Sequence, residues 1–209
     1  MRYNLSYPPE LADRLKQNAS GYRIILASNS PRRAEIMNLL GIEFVKVVPD
    51  VDENISHNGH PGGYAERLAK LKAEAVSETD SAMIIAADTI VVRGGEIINK
   101  PADEADAARM LKSLSGQEHQ VITAVALRNP ENGRIVCGHA VSHVQFKRLS
   151  EKNIEDYITS GEPFGKAGAY AIQGKGGELV ESYRGELDNI VGFPAKLFGD
   201  LMEEMKSEV

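Results

Sequence analysis

Apolar and polar positions follow one another in short blocks that fit strands and helices in turn. Residues 22–27 form a largely apolar run that reads as a buried strand, and Ser30 and Pro31 just after it suit an N-cap and a first helical position. The pattern predicts a helix over 31–40 stopped by Gly41, then a second strand over 42–48. Residues 49–63 are polar, acidic and glycine-containing and read as a functional loop or a mobile flap. A helix is expected over 64–78, where Leu68, Leu71 and Ala75 share one side, so Lys70 and Lys72 fall on different sides. Residues 83–87 predict a compact buried strand ending at Asp88 and Thr89, followed by a hairpin of 90–92 with 96–98 around Gly94 and Gly95.

The second half continues with a helix over 103–114 and two long strands, 120–128 and 134–147, joined by a turn containing Pro130 and Gly133. Ser150 is placed to cap a helix ending near Thr159, glycine is dense over 161–192, and Pro194 opens a final helix. Residues 1–21 precede the first strand and hold one short helical stretch over 10–17, an N-terminal appendage to a single domain over 22–209. Interleaved hairpin and crossover connections predict an α/β fold in which a mixed, twisted sheet is flanked by helices.

Composition narrows the function classes. Hydrophobic residues make up 42% of the 209 and charged residues 26%, ordinary for a globular chain and too apolar for disorder. A net charge of −6 argues against stable binding of long nucleic acids, which needs a basic face, but leaves room for a local pocket for a small anion. The apolar runs are too short to cross a bilayer, and Cys137, the single cysteine, excludes an internal disulfide, so a cytoplasmic protein is expected. Cys137 reads as a strand thiol and not as a nucleophile.

Arg32 and Arg33 fall in the first turn of a helix, where the macrodipole disfavours cations by up to about 1 kcal/mol. An anion such as a phosphate chain would relieve that cost, while taken alone the two also read as a solvated surface pair. The familiar phosphate motifs are nonetheless absent. Gly161 and Gly165 stand one residue too close for a P-loop, and position 167 is alanine where a hydroxyl is required. The glycines at 174, 176 and 177 fail the dinucleotide fingerprint. His139 and His143 have zinc-helix spacing but lie in a strand-like run without the glutamate, and His57 and His60 read as solvated. Asp88, at the expected end of a strand, is a candidate ligand-facing carboxylate, while Lys72, Lys100 and Glu53 have ordinary surface readings when taken singly.

Read in order, the segments 26–33, 87–89, Lys100-Pro101, Ser115-Gly116 with His119, 123–125, 166–174 and Gly192-Phe193-Pro194 make the chain resemble the Maf family of nucleoside triphosphate pyrophosphatases, long associated with septum formation. Phe193 stands where that family commonly has leucine. The resemblance implies an elongated, two-lobed molecule with a central cleft, of the type shared with inosine triphosphatases, and a possible homodimer. It implies that Asp88 is the catalytic base, or a metal ligand, and that Ser28, Arg32, Arg33, Lys72 and Lys100 contact the phosphates. It further implies that Arg32, Thr89 and Gln173 select the base in a branch acting on dTTP and UTP, and that Glu53, with Asp88, is linked to a divalent cation, Mg²⁺ or Mn²⁺. The amide of Gln173 offers a donor and an acceptor to a thymine or uracil edge. The alternatives are a house-cleaning enzyme for 7-methyl-GTP or inosine-type nucleotides and a non-catalytic nucleotide-binding regulator of division.

Overall fold

The computed structural model describes residues 3–53, 55–56, 60–77 and 82–207. After helix α1 (Pro9–Ala19), strand β1 (Arg23–Ala27) leads into α2 (Pro31–Leu39) and the short β2 (Val45–Val47). Helix α3 (Pro61–Glu74) precedes β3 (Ala82–Arg93) and its hairpin partner β4 (Glu96–Ile98). Then come α4 (Glu104–Leu114), β5 (Glu118–Arg128), β6 (Ile135–Phe146), α5 (Glu151–Thr159), β7 (Val180–Arg184), α6 (Leu187–Val191) and α7 (Ala195–Lys206). The strands form one sheet in the order β2-β1-β3-β5-β6-β7, with β4 also on β3. The β2, β1 and β3 contacts are parallel and the others antiparallel, the mixed sheet that the sequence pattern predicts.

Alternation along β3 sorts its side chains between two apolar layers. Met83, Ile85, Ala87 and Val91 join the layer built with α1, α2, α4, α5 and α7. Ile84, Ala86, Ile90 and Val92 join the other, where Ala65, Ala69 and Ala73 give α3 a small-residue face that lets it lie close to the sheet. The same parity sends Asp88 to the α3 side and Thr89 to the α2 side.

Several boundaries differ from expectation for local reasons. The second strand is shorter than 42–48 because the N–H of Ile42 closes the end of α2 on the Met37 carbonyl at 3.0 Å, and because β1, its parallel partner, stops at Ala27. Helix α3 starts earlier than position 64: Pro61 takes the first turn, the His60 side chain accepts the N–H of Gly63, and Gly62 sits where a Cβ would lie 2.5 Å from the His139 ring. His60 is therefore a cap, while His57 and the expected helix end at residue 78 lie outside the described residues. The glycine-dense segment contains β7 and α6, which its sequence pattern does not announce.

Ser30, Asp103 and Ser150 cap α2, α4 and α5, Ser150 in a reciprocal capping box with Asn153. No helix among the described residues is long and apolar enough to cross a membrane. Ile85 is fully buried in the central strand. Replacing Ile85 with alanine should therefore cost about 2–5 kcal/mol, read as a lower urea midpoint of unfolding.

Candidate active site

Strand β3 runs unbroken through Asp88, which corrects the expectation that a strand ends there. What ends is its neighbour: β1 pairs with β3 only as far as Ala27 opposite Ala86, whereas β5 accompanies β3 along the other side past Asp88 and Thr89. Between Ala86 and Val91, where β4 takes up the same edge, the sheet is open on one side of β3, and a cavity of about 450 Å³ occupies the opening. Ser28, Arg32, Arg33, Glu53, Lys72, Asp88, Thr89, Lys100 and Gln173 all line it.

On the α3 side, the Lys72 ammonium donates to Asp88 Oδ1 at 2.5 Å and pairs with Glu53 Oε1 at 2.8 Å. Lys72 and Asp88 are both buried, and Lys70, two positions earlier on the same helix, is exposed as the helical spacing requires. Glu53 bridges outward to Lys100, whose Nζ lies 2.8 Å from Oε2. Burial alone would raise the Glu53 carboxyl, but hydrogen bonds from Lys100 and Lys72 outweigh it and hold the group at about 2.

On the α2 side, Arg33 is fastened by neutral oxygens. Its Nε donates to the Gly192 carbonyl at 2.9 Å, Nη1 to Ser28 Oγ at 3.1 Å and Nη2 to Thr89 Oγ1 at 3.1 Å. Thr123 donates to the Asn189 carbonyl at 2.8 Å, so Thr89, 3.0 Å away, donates to Thr123 in a one-way chain starting at the guanidinium. Arg32 donates through Nε to the Val191 carbonyl at 3.3 Å. Burial lowers the affinity of both guanidiniums for their protons, yet arginine stays charged at any physiological pH.

The third wall, residues 165–173, is held from α5 and the loop after it. The Ala171 N–H donates to the Tyr157 hydroxyl, and the Glu162 carboxylate accepts the N–H groups of Lys175 and Gly176. A Cβ on Gly176 would lie 2.1 Å from the Ala171 carbonyl oxygen, so only glycine permits this tight return. Lys166 also lines the cavity, its ammonium donating to the Glu162 and Phe164 carbonyls. Behind this wall His119 is buried against the wall's Tyr170 at 2.7 Å, and burial pushes the His119 imidazole down to about 4, leaving it neutral at pH 7. His139 and His143 contact Glu66 and Glu118 elsewhere on the sheet, and burial pushes the Cys137 thiol up to about 12.

Among the residues the sequence did not single out, the carbonyls of Val191 and Gly192 hold both arginines. No side-chain pattern marks a carbonyl, though Gly192, at φ 118°, belongs to a motif noted for its order alone. A positive, phosphate-suited cavity where one strand outruns its neighbour has residues of the 26–33, 87–89, Lys100 and 166–174 motifs on its walls, and the sequence profile described as Maf-like protein matches residues 23–205. The chain belongs to the Maf-like protein family. This Maf-like protein is 45% identical over 184 residues to a dTTP/UTP pyrophosphatase of Alkaliphilus metalliredigens, spanning 87% of this chain and 95% of the relative. It is 47% identical over 182 residues to a dTTP/UTP pyrophosphatase of Clostridioides difficile, with 87% and 94% covered. Two solved structures share its fold: a HAM1 protein from Coxiella burnetii (TM-score 0.53, 18% identity, 88% and 99% covered) and the Staphylococcus aureus Ham1 protein (TM-score 0.52, 15% identity, 88% and 100% covered).

The depressed Glu53 carboxyl gives a pH signature. A carboxylate held below its unfolded value of 4.5 contributes stability above that pH and loses it as pH falls toward about 2. Glu53 is 41% exposed, so solvent screening keeps the contribution small. The gap in unfolding midpoint between the parent and Glu53→Gln should be largest above about pH 5 and close by about pH 2.

Proposed function

We propose that this chain hydrolyses dTTP and UTP to the nucleoside monophosphate and pyrophosphate. The observation that carries the reading is the convergence of Asp88, Lys72, Glu53, Lys100, Arg32, Arg33 and Gln173 on one cavity from segments far apart in sequence. The names of the 41–47% identical relatives support the choice of substrates.

In this reading the triphosphate lies along the cation-lined side of the cavity, with Arg32, Arg33 and Lys100 against its oxygens and Ser28 adding a hydroxyl. Gln173, on the wall held by Tyr157 and Glu162, faces the base, with Arg32 and Thr89 shaping the same end. Asp88 orients the attacking water and takes its proton as the water oxygen bonds to the α-phosphorus. The bridging oxygen leaves with the β-phosphorus, and pyrophosphate departs. Lys72, fixed between Asp88 and Glu53, holds the Asp88 carboxylate in place for this task.

The residues present fit a divalent cation. Glu53 and Asp88 turn hard oxygen donors toward the same ammonium, and no group of three or more His, Cys, Asp or Glu able to hold a metal occurs among the described residues. Two carboxylates suit Mg²⁺ or Mn²⁺, which take their remaining oxygens from substrate phosphates and water. Glu53 and Asp88 would hold the ion, which when bound neutralises phosphate charge and acidifies water. A homodimer acting in the cytoplasm completes the reading.

Turnover on dTTP, UTP, 7-methyl-GTP and ITP, followed by pyrophosphate release, tests the substrate, and a purine preference would overturn the reading. Asp88→Asn should lower kcat by about 10²- to 10⁴-fold while nucleotide binding persists. Near-normal turnover by that variant would remove Asp88 from the chemistry. A chelator should abolish pyrophosphate release, and added Mg²⁺ or Mn²⁺ should restore it.

A further inference from the structure

The N-terminal segment lies outside residues 23–205, the part matched to the family, and its described residues supply no cavity-lining side chain, yet it touches what holds two of the cavity walls. Residues 3–8 alternate in burial with a period of two. Tyr3, Leu5 and Tyr7 are partly buried against the core, and Asn4, Ser6 and Pro8 are exposed. Tyr3 packs its ring over Gly177, where a Cβ would stand 3.0 Å from Cδ2, and meets Tyr183 edge-on at 5.8 Å. Gly177 in turn lies tight on the Ile172 carbonyl, in the wall that carries Gln173. The segment is anchored at its far end by α1, whose fully buried Leu15 seats on Gly199 of α7.

Tyr7 makes the decisive contact. Its hydroxyl donates to Asp188 Oδ2 at 3.2 Å, and burial together with the Asp188 charge raises the phenol above its ordinary pKa, so it remains a donor. Asp188 is buried and ties its turn together from both ends. Its carboxylate accepts the N–H of Asn189 at 2.8 Å and of Ala195 at 2.8 Å, while its carbonyl accepts the N–H of Gly192 at 2.8 Å and of Phe193 at 2.9 Å. Between those ties stand the Val191 and Gly192 carbonyls that hold Nε of Arg32 and Arg33. A carbonyl can aim a guanidinium only as well as its own peptide is fixed, and the peptides here are fixed by Asp188.

We propose that residues 3–19 form a strap that braces the arginine pair, with Tyr7 a positioning residue that acts through Asp188 on the two carbonyls. The proposal rests on the reading that Arg32 and Arg33 hold the phosphates of the substrate. Loss of the Tyr7 hydroxyl lets the turn relax, widens the range of guanidinium orientations and weakens phosphate binding, while the distance from Asp88 to the reacting bond is set by β3 and stays as it was.

The test uses the full chain carrying Tyr7→Phe, with Arg14→Ala as a control that loosens the strap at its exposed ion pair with Glu203 without touching Asp188. Tyr7→Phe should raise KM for UTP roughly three- to tenfold with kcat within about twofold, and should weaken binding of inorganic pyrophosphate, measured by calorimetry, by a similar factor. Arg14→Ala should leave both quantities unchanged even if it lowers Tm. Unchanged KM and pyrophosphate affinity in Tyr7→Phe, or equal shifts in the two variants, would overturn the proposal and leave the strap a stabilising appendage. The calorimetric arm needs no turnover. If the unaltered protein releases no pyrophosphate from dTTP or UTP, the substrate reading fails by itself, and pyrophosphate affinity still decides the strap.

Discussion

Everything in the site depends on one strand outrunning another. A parallel pair saturates its backbone hydrogen bonds only where both strands are present; β1 stops at Ala27 while β3 continues, and β4 meets that edge again only from Val91. On its other edge β5 keeps β3 paired, so the extension is rigid. Adjacent residues of that extension must face opposite ways. Asp88 and Thr89 thereby serve two separate clusters, one built on α3 and one on α2, across a single backbone position. A one-residue slip of β3 would exchange their faces and dismantle both clusters at once.

The two clusters treat charge differently. Lys72 is buried between two carboxylates, an arrangement that removes most of the desolvation cost of each ion but would cost about 3–5 kcal/mol to break from one side. That asymmetry explains why a helix otherwise lined with alanine tolerates a buried lysine. The lysine cannot leave without stranding Asp88, whereas loss of Asp88 leaves the lysine only its partly exposed partner, Glu53. Glu53 is the adjustable member, since it sits in a loop, is partly exposed and divides itself between Lys72 and the exposed Lys100.

The layers of the fold were legible because they depend on side-chain periodicity, which sequence records directly. Lys72 against Lys70 is an example: helical spacing alone put them on different sides. Asp88 was less legible, because the sequence of β3 dips in hydrophobicity at Asp88 and Thr89 and so looks like two strands. The polar pair interrupts the apolar pattern without interrupting the hydrogen bonds, which continue through β5. The convergence of distant cations was reached only through the order of motifs, since no local pattern states which loops meet. The carbonyls of Val191 and Gly192 and the Tyr7 contact with Asp188 left no trace in composition or spacing, because they depend on backbone oxygens and on packing between segments more than 150 residues apart.

The difference in how the cations are held gives the cavity its polarity. Lys72 and Lys100 meet carboxylates, so their charge is largely compensated in place. Arg32, Arg33 and Lys166 meet only hydroxyls and carbonyls in the hydrogen bonds that fix them, which orient a cation but do not neutralise it. A chain of net charge −6 thus keeps a localised positive field along one side of a cavity whose other side is close to neutral. In the proposed reading, an anionic chain entering this space is drawn toward the arginines, and the part nearest Asp88 meets a compensated pair. On that proposal, the orientation of the bond to be cut follows from electrostatics fixed before the ligand arrives, with little reorganisation left for the reaction itself.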